Sequence, residues 1–389
     1  MVQAMRITMN IVCGYSLEAN PIRKRMGALV SSLPCSIKRI NIFCPFLKVK
    51  TRLSNTKKAR HFFTGGFVKT SNLFLRFFQE LLLSYKIVKK SYQIPSEIVL
   101  ISIPSMFCLF FIQKTQKTTV LDIRDLTWEY FSKGVIKQAL KQFFSIIAKK
   151  KFLLCDFIIC TNRTEKQLLL QKYNVSAQQI YILPNGITER EFSKIKKLKR
   201  WTKLQMPTLS YIGNIGLAQN LKTLIEAARY LRHVKIYIVG SGLEFNSLVK
   251  MCKDQSLGHV EFLGECKTET ILKVYKNTNI LYGQILQEYF SAIPSKVYEY
   301  LATGRYVIFG AEGATKNTLK KFNHNQVIQP DNPKLLVKKV YEIIKRKKHL
   351  TISLKNKKII HANFIREKNS REVLSKIIKK TKRNLFLPS

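Results

Sequence analysis

Short runs rich in Ile, Val and Leu alternate with longer amphipathic segments along most of this 389-residue chain. In the first half the strand-like runs are RITMNIVC, IKRINIFCP, SEIVLISI, KTTVLDI and CDFIICTN, and the helix-like segments include ANPIRKRMGALVSSL and LFLRFFQELLLSYKIVKK. This alternation is typical of parallel sheets covered by helices on both faces. We interpret the basic stretch around RHFFTGGFVK, which contains His61, as a loop, and we predict a helix beginning near Pro104.

The alternation restarts in the second half with TLSYIG, VKIYIVG, VEFLGE and NILYGQIL as strands between amphipathic segments. Residues 193 to 208 lack apolar periodicity and carry five lysines, which is typical of an interdomain linker. The sequence therefore predicts two α/β domains, at residues 1–195 and 206–364. A final helix over about residues 365–389 is expected to pack back on the first domain.

The segment VIKQALKQFFSIIAKK, residues 135–150, places its apolar residues in one half of a helical wheel. Such a helix can lie in a membrane interface or cover a sheet. We favour the sheet for the apolar half, which includes Leu140, Phe143 and Phe144. Lys137, Lys141 and Lys149 on the other half remain available to lipid headgroups.

The net charge of the chain narrows the classes of binding partner but does not select one of them. The chain has 68 Lys and Arg against 23 Asp and Glu, a formal net charge of +45. This favours nucleic acid or an acidic membrane surface, although a compositional bias would explain the excess equally well. The eight cysteines show no CxxC pair and are interpreted as reduced thiols, and the first residues do not resemble a secretory signal, so we expect a cytoplasmic protein.

Glycines follow three predicted strands of the second half. Gly213 and Gly216 come after TLSYI, Gly240 and Gly242 after VKIYIV, and Gly264 after VEFL. Ligands of parallel sheets lie at the carboxyl ends of the strands, where small residues let backbone N–H groups approach phosphate. One such glycine serves a tight turn equally well, but three in succession favour a nucleotide site.

Four segments together resemble a known family. YIGNIGLAQNLKTLIEAA, IVGSG, VEFLGE and PSKVYEYLATGRYVI occur in the order found in the nucleotide-binding domain of retaining glycosyltransferase family four, which has the GT-B fold. Within it, the chain resembles most the fucosamine-transferase-like group of surface-polysaccharide assembly. VLDIRDLTWEYF and IYILPNGITEREF in the first half agree with that group. The resemblance implies two Rossmann-like domains facing each other across a cleft.

The resemblance also implies roles for PSKVYEYLATG. Glu299 would receive the ribose hydroxyls of the nucleotide, since an ionised carboxylate accepts two hydroxyl hydrogen bonds. Ser295, Lys296 and the amides at the start of the helix would face the diphosphate. A solvated helix residue is the alternative interpretation of Glu299.

The chain departs from the family pattern at several positions. Ser291 stands where many members have a first glutamate that faces the sugar, and the arginine and lysine that usually clamp the diphosphate align with Asn214 and Gln219. Lys296 is then the candidate to replace their charge.

In the first half, Arg124 and Asp125 occupy the stretch where many relatives have a His-Asp pair near the acceptor. They are our candidate catalytic residues, which would orient the acceptor or support the leaving group, and a structural ion pair is the alternative. Gly14 and the following helix, with Arg23 and Arg25, are expected at the mouth of the same cleft. The five aspartates form no D-x-D motif, which fits an enzyme that needs no metal.

We therefore expect a retaining glycosyltransferase without a cofactor. It would move a sugar from a nucleotide-sugar, most simply a UDP-sugar, to a lipid-linked saccharide of the undecaprenyl-diphosphate type in O-antigen or capsule synthesis, at the inner face of the membrane. The alternatives are a basic nucleic-acid-binding protein, for which no motif is present, and a non-catalytic GT-B relative.

Overall fold

The computed structural model describes residues 7–18, 20–53, 59–66, 72–131, 134–198 and 206–386. Within these residues the chain forms two compact units. The first contains the residues up to Pro184 together with those from Arg366 onward, and the second extends from Asn185 to Ile365.

The first unit is built on a parallel sheet of seven strands within its described residues. The strand order is β3-β2-β1-β4-β5-β6-β7. The strands are β1 Ile7–Cys13, β2 Ile37–Phe46, β3 Ala59–Gly66, β4 Ile98–Ile103, β5 Thr118–Ile123, β6 Phe157–Cys160 and β7 Ile180–Ile182. Alternate residues of β4 enter two different hydrophobic clusters, Val99 and Ile101 in one and Ile98 and Leu100 in the other. Both faces of the sheet are therefore buried at β4, which explains why this strand is rich in Ile, Val and Leu.

Helices cover both faces of this sheet. They are α1 Asn20–Ser31, α2 Leu73–Gln93, α3 Val135–Phe152, α4 Arg163–Gln171 and, at the end of the chain, α13 Arg366–Phe386. Two 3-10 helices, Met106–Phe111 and Thr127–Tyr130, follow β4 and β5. The Asn72 side chain accepts hydrogen bonds from the Phe74 and Leu75 amides and so caps α2.

The second unit repeats the architecture with six parallel strands among the residues described. Their order is β10-β9-β8-β11-β12-β13. The strands are β8 Thr208–Ile212, β9 Lys235–Val239, β10 Val260–Gly264, β11 Ile280–Gln284, β12 Tyr306–Gly310 and β13 Asn325–Ile328. Counted within the unit, this is the 3-2-1-4-5-6 order of a Rossmann sheet, whose order reverses between β8 and β11.

Helices alternate with these strands. They are α5 Glu189–Lys196, α6 Lys222–Ala228, α7 Phe245–Asp254, α8 Thr268–Lys276, α9 Ser295–Thr303, α10 Gly313–Leu319, α11 Pro333–Lys345 and α12 Leu354–Asn363. One hydrophobic cluster joins β8, β9, β11 and β12 to α6, α7 and α11. The unit thus has a core of its own.

The chain divides at Pro184, earlier than the predicted end of the first domain at residue 195. Residues 189–196 form α5, which packs on α9 within the second unit, so the proposed linker of residues 193–208 begins inside a helix. The remainder of that linker falls largely on residues 199–205, which lie outside the described residues. From Arg366 the chain belongs to the first unit again, where α13 packs on α1.

One local prediction for the first unit is wrong, and a second, the helix near Pro104, holds only in part. His61 lies in β3, a half-buried strand beside β2, and its Nε2 accepts a hydrogen bond from the Leu53 amide at 3.1 Å. The loop interpretation failed because β3 is an edge strand, where charge and glycine are tolerated. After Pro104 the chain forms a short 3-10 helix at Met106–Phe111 instead of an α-helix.

The prediction for the apolar half of α3 holds only in part. Phe144, Ala148 and Phe152, spaced four residues apart, are buried and form the packing stripe of the helix. Leu140 and Phe143, which we expected on the sheet, are 42% and 53% exposed. The contact surface is therefore narrower than the apolar half of the wheel.

Candidate nucleotide site and candidate acceptor residues

The predicted glycines of the second unit lie together at the carboxyl edge of its sheet. The Gly213 amide, directly after β8, donates to the Val239 carbonyl at 2.9 Å, and the Ile215 amide donates to the Ser241 carbonyl at 2.9 Å. The Gly240 amide donates to the Gly264 carbonyl at 2.8 Å. The loops after β8, β9 and β10 thus extend the pairing of the strands and form one continuous backbone surface.

Two of these glycines are required by close backbone approach. A Cβ on Gly240, whose φ is +136°, would lie 1.8 Å from the Gly213 carbonyl oxygen. A Cβ on Gly242 would lie 2.1 Å from the carbonyl oxygen of Ile215. Gly264 has a φ of +64° in open space, so it is needed for its backbone conformation alone. The glycines therefore serve the packing of the loops first, whatever they contact in a complex.

Asn214 and Gln219 hold the β8 loop closed on itself. The Asn214 side-chain amide donates to Gln219 Oε1 at 3.2 Å, and the Tyr211 hydroxyl donates to the Asn214 carbonyl at 2.5 Å. A Cβ on Gly216 would lie 2.7 Å from Asn214 Nδ2, so this glycine makes room for the pair. The two uncharged side chains offer hydrogen bonds in place of the positive charge that the family pattern has there.

Gln284, at the end of β11, is a candidate site residue that the sequence did not reveal. Its side-chain nitrogen donates to the Gln219 and Asn220 carbonyls at 3.1 Å and to Asp331 Oδ1 at 3.0 Å. The Asp331 carboxylate also accepts from the Asn220 side chain at 2.8 Å. β11 adjoins β8 at the point where the strand order reverses, so this partly buried network fixes the β8 loop at the place where Rossmann sheets bind ligands.

Helix α9 extends from Ser295 to Thr303 and is capped by Gly304, which adopts the left-handed conformation with φ +72°. Glu299 on this helix is 8% exposed. Its Oε2 accepts from Lys296 Nζ at 2.6 Å, a helical i,i+3 ion pair, and from the Tyr275 hydroxyl at 3.4 Å. Burial and the charge of Glu299 raise the pKa of Tyr275, which remains a donor to the carboxylate at neutral pH.

Tyr300 connects α9 to the β8 loop. Its hydroxyl accepts from the Ile212 amide at 2.8 Å and donates to the Ile212 carbonyl at 3.0 Å. The residue after Ile212 is Gly213, so the helix carrying Lys296 and Glu299 is bonded to the start of the glycine loop. The structure thus brings the elements that carry the predicted residues together in one unit, while the roles of those residues stay predictions.

In the first unit, Arg124 and Asp125 directly follow β5 and therefore lie at the carboxyl edge of that sheet. Arg124 is partly buried and Asp125 is exposed. Asp125 accepts a hydrogen bond from Tyr130 of the neighbouring 3-10 helix. Their placement is that of ligand-contacting residues in parallel sheets, and their catalytic role stays a prediction.

Arg25 does not lie at the mouth of a cleft. It is buried under the sheet edge, where its guanidinium forms a bidentate ion pair with Asp122 of β5. Ser102 also donates to Asp122, at 2.9 Å. Burial would raise the pKa of Asp122, but the charge and hydrogen bonds of Arg25 outweigh it and lower that pKa. The expectation for Arg25 is wrong because Asp122 of β5 forms an ion pair with it in the interior of the unit, whereas Arg23 is exposed.

The described residues contain neither a candidate metal cluster nor a helix that could span a membrane. No three His, Cys, Asp or Glu side chains among them are grouped closely enough to hold a metal ion. None of the helices in the described part of the chain has the length and apolar character needed to cross a membrane.

Residues 193–360 match the family model described as "Glycosyl transferases group 1". No curated protein sequence matches the chain. The matched residues include the glycine loops and α9 of the second unit.

Solved structures extend the comparison to the whole chain. Sucrose-phosphate synthase from Thermosynechococcus elongatus shares 15% identity at a TM-score of 0.75, covering 99% of this chain and 100% of that one. HepE of Anabaena, solved with UDP-glucose, shares 14% identity at a TM-score of 0.68, covering 96% and 100%. The lipopolysaccharide outer core galactosyltransferase WaaB shares 14% identity at a TM-score of 0.65, covering 96% and 100%. At these identities the similarity shows the fold, which is the GT-B fold with two Rossmann-like domains.

Proposed function

We propose that the protein is a retaining glycosyltransferase of family four that moves a sugar from a UDP-sugar to a lipid-linked saccharide. The acceptor is of the undecaprenyl-diphosphate type, and the product enters surface-polysaccharide or O-antigen synthesis at the inner face of the membrane. The observation that carries the proposal is the joint placement of Lys296 and Glu299 on α9, bonded through Tyr300 to the glycine loop after β8. The family match over residues 193–360 and the UDP-glucose complex of HepE support the choice of donor.

In this proposal the Glu299 carboxylate accepts hydrogen bonds from the two ribose hydroxyls. The nearly buried carboxylate is held in place by Lys296 and Tyr275, so it is preorganised for two charge-assisted hydrogen bonds. The Lys296 ammonium lies at the start of α9, on the end with the positive dipole. When a diphosphate binds there, Lys296 exchanges part of its contact with Glu299 for the phosphate oxygens.

The transfer breaks the bond between the anomeric carbon and the diphosphate oxygen and forms the bond to the acceptor hydroxyl on the same face of the sugar. The acceptor proton passes to the leaving diphosphate oxygen, which makes a separate protein base unnecessary. Arg124 and Asp125 orient the acceptor, and no metal takes part. Two features support a diphosphate site without a metal. The chain has no D-x-D motif, and positive charge is supplied by the Lys296 ammonium and by the dipole at the first turn of α9.

Glu299→Ala tests the donor site. Charge-assisted hydrogen bonds contribute about 1.5–3 kcal/mol, so the variant should bind UDP at least about tenfold more weakly in titration calorimetry. Glu342→Ala is the matched control, because Glu342 forms the same i,i+3 pair with Lys339 on α11, at 2.9 Å. Unchanged UDP affinity in Glu299→Ala would contradict the assignment.

Activity requires a second measurement. Incubation with a panel of UDP-sugars and a bacterial lipid extract, followed by mass spectrometry, should reveal a glycolipid larger by one sugar. Ser291, buried where the family pattern has a sugar-facing glutamate, motivates a non-catalytic relative as second candidate. Binding of UDP without transfer from any donor would favour that candidate.

A further inference from the structure

An exposed aromatic surface lies on helices α2 and α3 of the first unit. On α2, Phe74 and Phe78 are 80% and 60% exposed, and on α3, Phe143 is 53% exposed. Further exposed apolar side chains of these two helices are Leu75, Phe77, Leu82, Tyr85, Val135, Ile136, Leu140 and Ile146. Soluble proteins seldom expose so many large apolar groups together unless something binds there.

Ring contacts make this surface continuous between the two helices. Phe77 of α2 meets Phe107 at a centroid distance of 5.0 Å, and Phe107 meets Phe110 at 5.9 Å. Phe110 in turn meets Phe143 of α3 at 6.2 Å. We call the exposed apolar residues of α2 and α3, with Phe110 between them, the aromatic face.

The aromatic face is bordered by positive charge. Helix α3 contains five lysines and no acid, and α2 contains four basic residues and one acid, Glu80, which pairs with Arg76 at 3.0 Å. Glu129, on the 3-10 helix packed against α3, is nearly buried and paired with Lys172 and Lys141 at 2.5 and 3.2 Å. The acids near the face are therefore neutralised, and the lysines dominate its field.

Three of the lysines line a pocket at the end of the face. Lys86, Lys89 and Lys90, with Tyr85 and Gln93, surround an open volume of about 380 Å³ beside β3. Lys89 Nζ donates to the Tyr85 hydroxyl at 2.8 Å, and Tyr85 also contacts Phe111, so the pocket adjoins the aromatic face directly. Apolar rings next to clustered lysines match the boundary between the acyl chains and the anionic headgroups of a bilayer.

We infer that the aromatic face inserts into the interface of an anionic bilayer, with Lys86, Lys89 and Lys90 contacting lipid phosphates. Pairing of two copies through this face would bring its lysines together, and like charges oppose such a contact. The inference deepens the proposed function, on which it rests for the choice of a bilayer as partner. It also revises the expectation from the sequence that the lysines of α3 contact the lipid headgroups. Lys141 is paired with Glu129, and exposed apolar side chains of α3 are available to the bilayer instead.

Co-sedimentation with phosphatidylcholine vesicles, with and without phosphatidylglycerol, tests the inference in the full chain. Phe74→Ser/Phe78→Ser/Phe143→Ser should weaken binding to the anionic vesicles at least about tenfold through lost apolar burial. Lys86→Gln/Lys89→Gln/Lys90→Gln should weaken it about hundredfold, at about a factor of five per lysine. Vesicles without phosphatidylglycerol should bind the wild type far less.

Matched controls come from the second unit. Leu243→Ser/Leu350→Ser/Leu354→Ser removes exposed apolar groups, and Lys320→Gln/Lys321→Gln/Lys348→Gln removes exposed lysines. Both controls should bind the anionic vesicles like the wild type. All substituted residues are exposed, and an unchanged melting temperature checks that each variant is folded.

Three outcomes would overturn the inference: no binding of the wild type to anionic vesicles, full binding by the serine variant, or a dimer in solution that the serine variant converts to a monomer. The thermal shift caused by UDP is measured on the same samples. If UDP fails to shift any of them while vesicle binding follows the expected order, the proposed function fails and the membrane surface stands.

Discussion

Gly240 shows at the scale of one residue how packing restricts this site. Its φ is positive and the position of a Cβ is occupied by the Gly213 carbonyl oxygen at 1.8 Å. Backbone atoms cannot move aside as a flexible side chain can, so any larger residue must separate the β8 and β9 loops.

Gly240→Ala should therefore lower the free energy of unfolding by about 3 kcal/mol or more, combining left-handed strain with the clash. UDP binding should weaken with it. Gly258→Ala is the control, since a Cβ there meets nothing within 4 Å. Urea unfolding of both variants gives the comparison, and equal stabilities would refute the close approach of the two loops.

The ion pair of Arg25 with Asp122 yields a second prediction at this scale. Both side chains are buried, so Arg25→Met leaves a carboxylate without its main partner and should cost about 3–5 kcal/mol at neutral pH. Asp122→Asn in addition to Arg25→Met should restore a large part of that loss, because no buried charge then remains.

The direction in which the stability changes with pH follows from the pKa of Asp122. The folded-state pKa of Asp122 is lowered, so the stabilisation from the pair is complete above the unfolded pKa of about 3.9 and is lost as the pH falls through the folded value. In Arg25→Met the lowering effect of Arg25 is lost and burial raises the pKa of Asp122, so protonation stabilises the folded variant and its stability deficit should shrink as the pH is lowered towards about 4. Urea midpoints of wild type and variant at several pH values measure it, and a deficit that grows on acidification would speak against an ionised Asp122.

The candidate site was visible in the sequence only where residue type is restricted by backbone geometry or by motif. Gly240, Gly242 and Glu299 stand in recognisable segments, and the structure places those segments together. Gln284 gave no signal, because it is an uncharged residue in an apolar strand. Only the strand order, which long-range pairing decides, shows that β11 lies beside β8.

At the scale of elements, burial on one face or both decided which predictions succeeded. β4 and β12 are buried along their length, and their sequences are almost entirely apolar. β3 is half-buried and was missed. The amphipathic pattern predicted the helices, but a helical wheel does not show how much of the apolar half is buried. In α3 only one stripe of that half is buried.

Adjacent phenylalanines of α3 make that difference measurable. Phe144 is 5% exposed and packs against Trp128 and Phe110, whereas Phe143 is 53% exposed. Phe144→Ala should cost about 3–5 kcal/mol in urea unfolding. Phe143→Ala should cost less than about 1 kcal/mol. Similar losses in the two variants would mean that both rings belong to the core.

At the scale of the whole molecule, the chain has built the same parallel topology twice. The 3-2-1-4-5 order recurs in both sheets, and each unit has separate hydrophobic clusters. The first unit is not continuous in sequence, because α13 contributes Val373, Leu374, Ile377 and Ile378 to the cluster that contains Met26 and Leu29 of α1. Its fold is therefore complete only when the last helix has been added.

Separate cores predict two unfolding transitions in calorimetry, of which UDP should raise the one belonging to the second unit. Ile377 is fully buried, so Ile377→Asp places a carboxylate in the core of the first unit at a cost of several kcal/mol. The other transition should then fall by many degrees while the UDP-sensitive one keeps its midpoint and its ligand shift. Lys379→Asp, on the exposed side of the same helix, controls for the change of charge. If Ile377→Asp lowered both transitions equally, the two units would unfold as one cooperative structure and the assignment of α13 to the first core alone would be wrong.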